Sequence, residues 1–122
     1  MATAQQRQAM GAYGERSAAR HLTEERGMTL LDRNWRCAAG EIDLLLRDGD
    51  TLVVCEVKTR RGDDFGAPLE AVTPDKFARL RRLASQWLEQ EGVQVPDVRI
   101  DLVGVDLSRP AAERITHVRG AG

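Results

Sequence analysis

Glu56 and Lys58 stand two apart at the end of the run Leu52-Val53-Val54-Cys55-Glu56-Val57-Lys58. The run is apolar enough to be a central strand buried on both faces. Residues two apart on a strand share a face and lie about 7 Å apart along it. A carboxylate and an ammonium on one face of such a strand cost solvation free energy unless something there uses them. Asp43 comes from the preceding segment, across the Asp48-Gly49-Asp50 link. If Asp48-Gly49 is a two-residue turn, Asp43 lies opposite Val54 and Glu41 opposite Glu56. If Gly49-Asp50 is the turn, Asp43 lies opposite Glu56 itself. Both registers put Asp43 on the face of Glu56 and Lys58, and a three-residue turn would not. Opposite and diagonal strand neighbours sit roughly 5 to 8 Å apart. Two carboxylates that close repel, and a hard divalent cation relieves the repulsion. An all-oxygen donor set favours Mg²⁺ or Mn²⁺. A third acid, Glu15, shares a helix face with Gly11, Ala18 and Leu22, where it either reaches past the edge to solvent or points into a site. The same residues also fit plain strand-end charges, with Lys58 as the salt-bridge partner of the acids.

The elements that must position these residues follow from the pattern. Residues 4–26 hold helix formers and no proline, and Gly27 is placed to end a helix there. Gly11 and Gly14 inside it call for a reason: close packing on a sheet, or a helix start near Gly11. Segments 28–36, 41–47 and 51–59 read as three strands, the last two forming a hairpin at Asp-Gly. The stretch 60–72, rich in Gly, Asp and Pro, reads as a loop. Thr73-Pro74-Asp75 opens a second helix as N-cap, first-turn proline and favourable acid. Phe77, Leu80, Ala84, Trp87 and Leu88 recur at helical spacing and face the core; Gly92 ends the helix. Segment 98–107 reads as a strand and 114–118 as a short edge strand. The tail 119–122 is expected to be loose. The order αβββαβ(β) is a mixed sheet flanked by helices, of α/β (α+β) type. The second helix lets a later strand return parallel.

Composition bounds the rest. The 122 residues make one domain, 1–122, with a core at about 4–118, and 42% hydrophobic with 30% charged residues is ordinary for a globular chain. No apolar run is long enough to span a membrane, and residues 1–10 lack the apolar stretch of a secretory signal, so a cytoplasmic location and no membrane partner are expected. Cys37 and Cys55 form no CxxC, which suits reduced thiols. The net charge of −1 argues against indiscriminate coating of nucleic acid. It hides a split: residues 41–56 carry five acids and one base, residues 58–82 seven bases and four acids. With no Gly-rich phosphate loop and no G-x-S-x-G, a nucleotide cofactor and serine-hydrolase chemistry have no support. Trp35 suits partial core burial better than base stacking, Glu41 reads as a surface strand residue, and His21 and His117 have no partner in any pattern.

Gly11-Ala12-Tyr13-Gly14-Glu15, Asn34-Trp35-Arg36, Gly40-Glu41-Ile42-Asp43, Glu56-Val57-Lys58-Thr59-Arg60 and Ala71-Val72-Thr73-Pro74-Asp75-Lys76 together resemble the YraN family of small bacterial proteins. That family belongs to the restriction-endonuclease-like superfamily, whose signature is PD-(D/E)xK. The resemblance covers about residues 11–107 and implies a restriction-endonuclease-like mixed sheet flanked by helices. It implies that Asp43 and Glu56 hold one or two Mg²⁺ or Mn²⁺ ions, that the Val57 carbonyl adds a ligand, and that Lys58 orients water or steadies the phosphate. Glu15 matches the extra helix acid of Holliday-junction-resolvase-like members, which are often homodimers. Ile42 stands where the signature has proline. The implied activity is a metal-dependent endonuclease cutting phosphodiester bonds of branched or distorted DNA. Arg60, Arg61, Lys76 and Arg79 are candidates to clamp the phosphate backbone, which recognises shape rather than sequence. The competing expectation is a non-catalytic nucleic-acid- or protein-binding module on the same fold.

Overall fold

The computed structural model describes residues 3–62 and 72–122. Most of the stretch read as a loop, with Asp63, Asp64, Glu70 and Ala71, lies outside the described residues. The elements are α1 (Ala4–Arg20), a π-helical turn (His21–Glu25), β1 (Thr29–Cys37), β2 (Gly40–Asp48), β3 (Thr51–Arg60), α2 (Pro74–Glu91), β4 (Asp97–Asp106), a 3₁₀ turn (Ala111–Glu113) and β5 (Ile115–Val118). The five strands form one mixed sheet in the order β1-β2-β3-β4-β5. Only β3 and β4 run parallel, as the intervening α2 permits; the other pairs are antiparallel. The expected order αβββαβ(β) is therefore the observed one.

Each helix covers one sheet face. Ala18, Ala19 and Leu22 pack on Leu44, Leu46, Val53, Cys55, Val57, Val103 and Val105. Leu80, Leu83, Ala84 and Trp87 pack on Ile42, Leu45, Leu52, Val54 and Ile100. Strand β3 is thus apolar on both sides because both sides are covered. Trp87 is core, with its indole N–H donating to Asp32 at 3.2 Å. Trp35 is half-buried against the α2-side cluster.

α1 starts at a capping box: the Thr3 hydroxyl accepts from the Gln6 N–H at 3.1 Å and the Gln6 side chain accepts from the Thr3 N–H at 2.8 Å. A helix start therefore does not explain Gly11, and nothing lies within 4 Å of where its Cβ would be. Gly14 is explained by packing: a Cβ there would meet the Thr59 hydroxyl and lie 2.9 Å from Thr59 Cβ. Gly14→Ala is expected to destabilise the protein by about 1–3 kcal/mol, because helix and strand must part. Urea unfolding checks it; a neutral or stabilising result would refute the close-approach account. α2 begins as read, with the Thr73 hydroxyl accepting from the Lys76 N–H at 3.2 Å and Pro74 in first place, and ends at Gly92 with φ 67°.

The ladder pairs Asp48 with Thr51, so Gly49-Asp50 is the turn, with Gly49 at φ 61° in the place type II′ turns give to glycine. Of the two possible registers this is the one that aligns Asp43 with Glu56. Strict alternation nevertheless fails nearby. Ile42 and Leu45, three apart, both pack on the α2 side, while Leu44 and Leu46 pack on the α1 side. Asn34, between the paired residues Arg33 and Trp35, has φ 52°. The alternation is reset where Asn34 and Asp43 pass each other.

The expectation of a loose tail is corrected. The Gly120 N–H donates to Asp101 at 2.9 Å, the Ala121 N–H to the Ile100 carbonyl at 2.8 Å, and the Arg81 guanidinium to the Gly122 carbonyl. A terminal segment is expected to be free, but the backbone donors of this tail find acceptors on β4.

Candidate active site

The β2–β3 ladder ends at Leu44 and Cys55. One residue further the strands part, and Asp43 Oδ2 accepts the Val57 N–H at 2.8 Å. A side chain thus replaces the ladder bond that the backbone no longer supplies. The N–H and C=O of a strand residue point to the same side, so the Val57 carbonyl faces this gap as well. Asp43 is half-buried, and Glu56 is 6% exposed.

Two lysines converge on Glu56. Lys76 Nζ lies 3.1 Å and Lys58 Nζ 3.7 Å from Glu56 Oε1. Lys58 comes from the same strand two residues on, where β3 emerges from its cover. Lys76 comes from the first turn of α2, which Thr73 and Pro74 hold in place. Lys76, a candidate phosphate-backbone contact by sequence, reaches the same carboxylate oxygen as Lys58. Arg79, one turn further along α2, is exposed, and its aliphatic stem runs beside Gly40. Arg60 is half-buried at the end of β3, its carbonyl accepting the Leu107 N–H at 2.8 Å. Arg61 is exposed and lines a separate groove with Tyr13 and Arg114.

Burial, then the Glu56 charge, pushes the Asp43 carboxyl up to about 7, against the pull of the Val57 N–H. Glu15 and Glu41 push in the same direction. Glu15 is itself raised, chiefly by burial, while a hydrogen bond from Asn34 opposes the shift. α1 therefore brings Glu15 within electrostatic range of Asp43, held by the residue that resets the alternation. Glu41 is exposed and pairs with Arg36 at 2.9 Å, as a surface strand residue.

Among the described residues no group of three or more His, Cys, Asp or Glu side chains converges to hold a metal ion. The donors present are two carboxylates, Asp43 and Glu56, and the Val57 carbonyl. Mg²⁺ commonly binds through one or two carboxylates and keeps several waters. The donor set fits such an ion, and the raised Asp43 carboxyl marks a place where positive charge is wanted.

A second polar cluster went unread in the sequence. Asp101 is fully buried and accepts from Arg99 Nε at 2.9 Å, Arg99 NH2 at 3.2 Å and the Gly120 N–H at 2.9 Å, with His117 Nε2 at 2.8 Å. Burial pushes its carboxyl up, but these partners pull harder and leave it below the usual range. His21 pairs with Glu25 at 3.1 Å and meets the His117 ring edge-on. The signal was thin: one of three aspartates in a strand that also carries Arg99, with partners two, sixteen and nineteen residues away.

Fold and site together define a mixed-sheet α/β protein with an acid–lysine centre where two antiparallel strands part. The model of "Uncharacterised protein family UPF0102" matches residues 14–105. The chain belongs to that family, the YraN family its motifs resemble. It is 63% identical over 116 residues to a UPF0102 protein of Nocardioides sp., covering 95% of this chain and 93% of that one. A Streptomyces coelicolor UPF0102 protein is 60% identical, covering 93% and 88%, and one from Kineococcus radiotolerans 58%, covering 92% of each. A chain in a solved EndoMS-dsDNA2 complex is 18% identical with a TM-score of 0.36; the match covers 75% of this chain and 44% of that one, less than half its length. No described helix is long and apolar enough to cross a membrane.

Proposed function

We propose that this protein is a metal-dependent endonuclease, hydrolysing phosphodiester bonds in branched or distorted DNA. The observation that carries the reading is Asp43, whose carboxyl burial and Glu56 raise to about 7, aligned with Glu56 at a strand gap that two lysines enter. An ion pair kept for stability alone needs one acid and one base. It gains nothing from a second acid pressed close enough to resist ionisation.

Asp43, Glu56 and the Val57 carbonyl would hold one or two Mg²⁺ or Mn²⁺ ions. A divalent cation supplies an activated water and neutralises charge on the phosphate. The chain's own residues do the rest. Lys58 and Lys76 present two ammonium groups to the non-bridging phosphate oxygens, where negative charge grows as water attacks and the P–O bond to the leaving group breaks. Glu15 adds negative charge on the α1 side and strengthens the demand for cations. Arg79 and Arg60 flank the centre as backbone contacts. A homodimer, which would set two centres on two strands, is part of the same proposal, as is a cytoplasmic setting.

The test is cleavage of labelled duplex, single strand, flap and four-way junction with Mn²⁺, beside the same panel in chelator. Cation-dependent cutting strongest on flap or junction is expected. A folded protein that cuts nothing, yet binds DNA equally with Mg²⁺ and with chelator, would make it a binding module instead. That alternative has one observation in its favour: Lys58 and Lys76 already balance the Glu56 charge.

A further inference from the structure

We propose that the groove on the far flank of α1 holds an unpaired DNA strand, stacked on Tyr13 and held by Arg61 and Arg114. The groove has a volume of about 640 Å³ and is lined by α1, by Arg61 just beyond β3, and by Leu107 and Arg114 beyond β4. Among the described residues its charged side chains are Arg61 and Arg114, and the remainder, Met10 and Leu107 among them, are uncharged. The described lining is therefore positive, on a chain of net charge −1. Tyr13 is the chain's one tyrosine and is 38% exposed. Its ring is fixed in advance. Arg114 NH1 donates to the Tyr13 hydroxyl at 2.8 Å and Arg114 Nε to the Arg109 carbonyl at 2.8 Å. The guanidinium carbon lies over the ring, 5.8 Å from its centroid.

An aromatic platform beside arginines is how proteins hold single strands: bases stack on the ring and cations follow the phosphates. A duplex hides its base faces, so a stacking residue selects unpaired nucleotides. The position also suits the acid–lysine centre. Tyr13 and Glu15 are two apart on α1, hence on nearly opposite flanks of the helix, and Gly14 between them rests on Thr59 of β3. The groove and the acids therefore flank one rigid contact. This inference rests on the nuclease reading for the identity of the strand as DNA, and it narrows the substrate class to DNA with an unpaired arm.

The experiment is fluorescence anisotropy of a labelled oligo(dT) and of a matched duplex with the full chain in EDTA, where no turnover occurs. Wild type should bind the single strand more tightly than the duplex. Tyr13→Ala should weaken single-strand binding about tenfold and leave duplex binding near wild type, and Tyr13→Trp, which keeps a stacking face, should restore it. Arg61→Ala should lower the salt slope by about one. Single-strand binding no tighter than duplex binding, or unchanged in Tyr13→Ala, overturns the proposal. So does loss in Arg61→Ala with all Tyr13 variants alike, the pattern of an acidic peptide site. The two readings fail separately. Mn²⁺-dependent cutting with normal binding by Tyr13→Ala removes the groove and leaves the nuclease. Tyr13-dependent binding without any cutting removes the nuclease and leaves the groove.

Discussion

Asp43→Asn raises the stability of the cation-free protein at pH 8 and leaves it nearly unchanged at pH 4. The wild-type carboxyl titrates near 7 in the folded chain, mainly through burial and then through Glu56, against about 3.9 when unfolded. A raised acid pKa means the folded state holds the proton more tightly. Its contribution is fully present below about pH 4, falls as pH rises, and is gone above about pH 7. At 1.36 kcal/mol per unit the span is up to about 4 kcal/mol, and relaxation of the coupled pair reduces it to about 2–4. For a chain this size that is a Tm rise on the order of 10 °C. Asparagine is the informative replacement because its carbonyl still accepts the Val57 N–H; alanine would orphan that donor at a cost of about 1–3 kcal/mol. Thermal unfolding between pH 4 and 9 in chelator reads the effect. Saturating Mn²⁺ should raise the wild-type Tm at pH 8 and the Asp43→Asn Tm much less, since a ligand that binds only the folded state stabilises it. An Asp43→Asn protein less stable than wild type at pH 8 would show that Asp43 is comfortably ionised, and the electrostatic argument for a cation would fail.

The site was legible to the extent that it lies along one hairpin. Strand period and turn length place Asp43 beside Glu56, because alternation and register are local properties of the sequence. The Asp-Gly link left two registers, and Gly49 at positive φ chooses between them. What alternation could not show is the reset at Asn34 and Asp43, where an asparagine in the left-handed region breaks the pleat. The Asp43 carboxylate then turns to the Val57 N–H. The approach of Lys76 to Glu56 went unread for a different reason. Its helix start was readable from Thr73 and Pro74, but the angle at which α2 crosses β3 is a product of packing against the whole sheet. The Asp101 cluster went unread because Arg99, His117 and the Gly120 N–H meet at Asp101 only once β5 and the tail fold back on β4. The signal carried by one hairpin survived, and those that needed separate elements to meet did not.

On the proposed reading, Glu56→Gln is expected to lower Mn²⁺-dependent cleavage by on the order of 10³-fold or more while the fold persists. The isostere keeps the volume of a side chain that is 6% exposed and removes only its charge. Two consequences follow. The carboxylate that would share the cation with Asp43 is gone, and Lys58 and Lys76 lose their common partner at Oε1. The second consequence separates the lysines. Lys76, closer at 3.1 Å and delivered by a capped helix, is the better-fixed of the two. Lys76→Met should therefore cost activity at least as heavily as Lys58→Met, although the sequence pattern singles out Lys58. Single-turnover cleavage of the preferred substrate measures all three. If Glu56 served only as the counter-ion of two lysines, Glu56→Gln would lower stability and leave any cation-dependent cutting intact. If Lys76 were an outer backbone contact, Lys76→Met would weaken binding uniformly and spare the cleavage rate at saturation. Loss of rate at saturation, with binding in chelator retained, is what a group acting on the reacting phosphate produces.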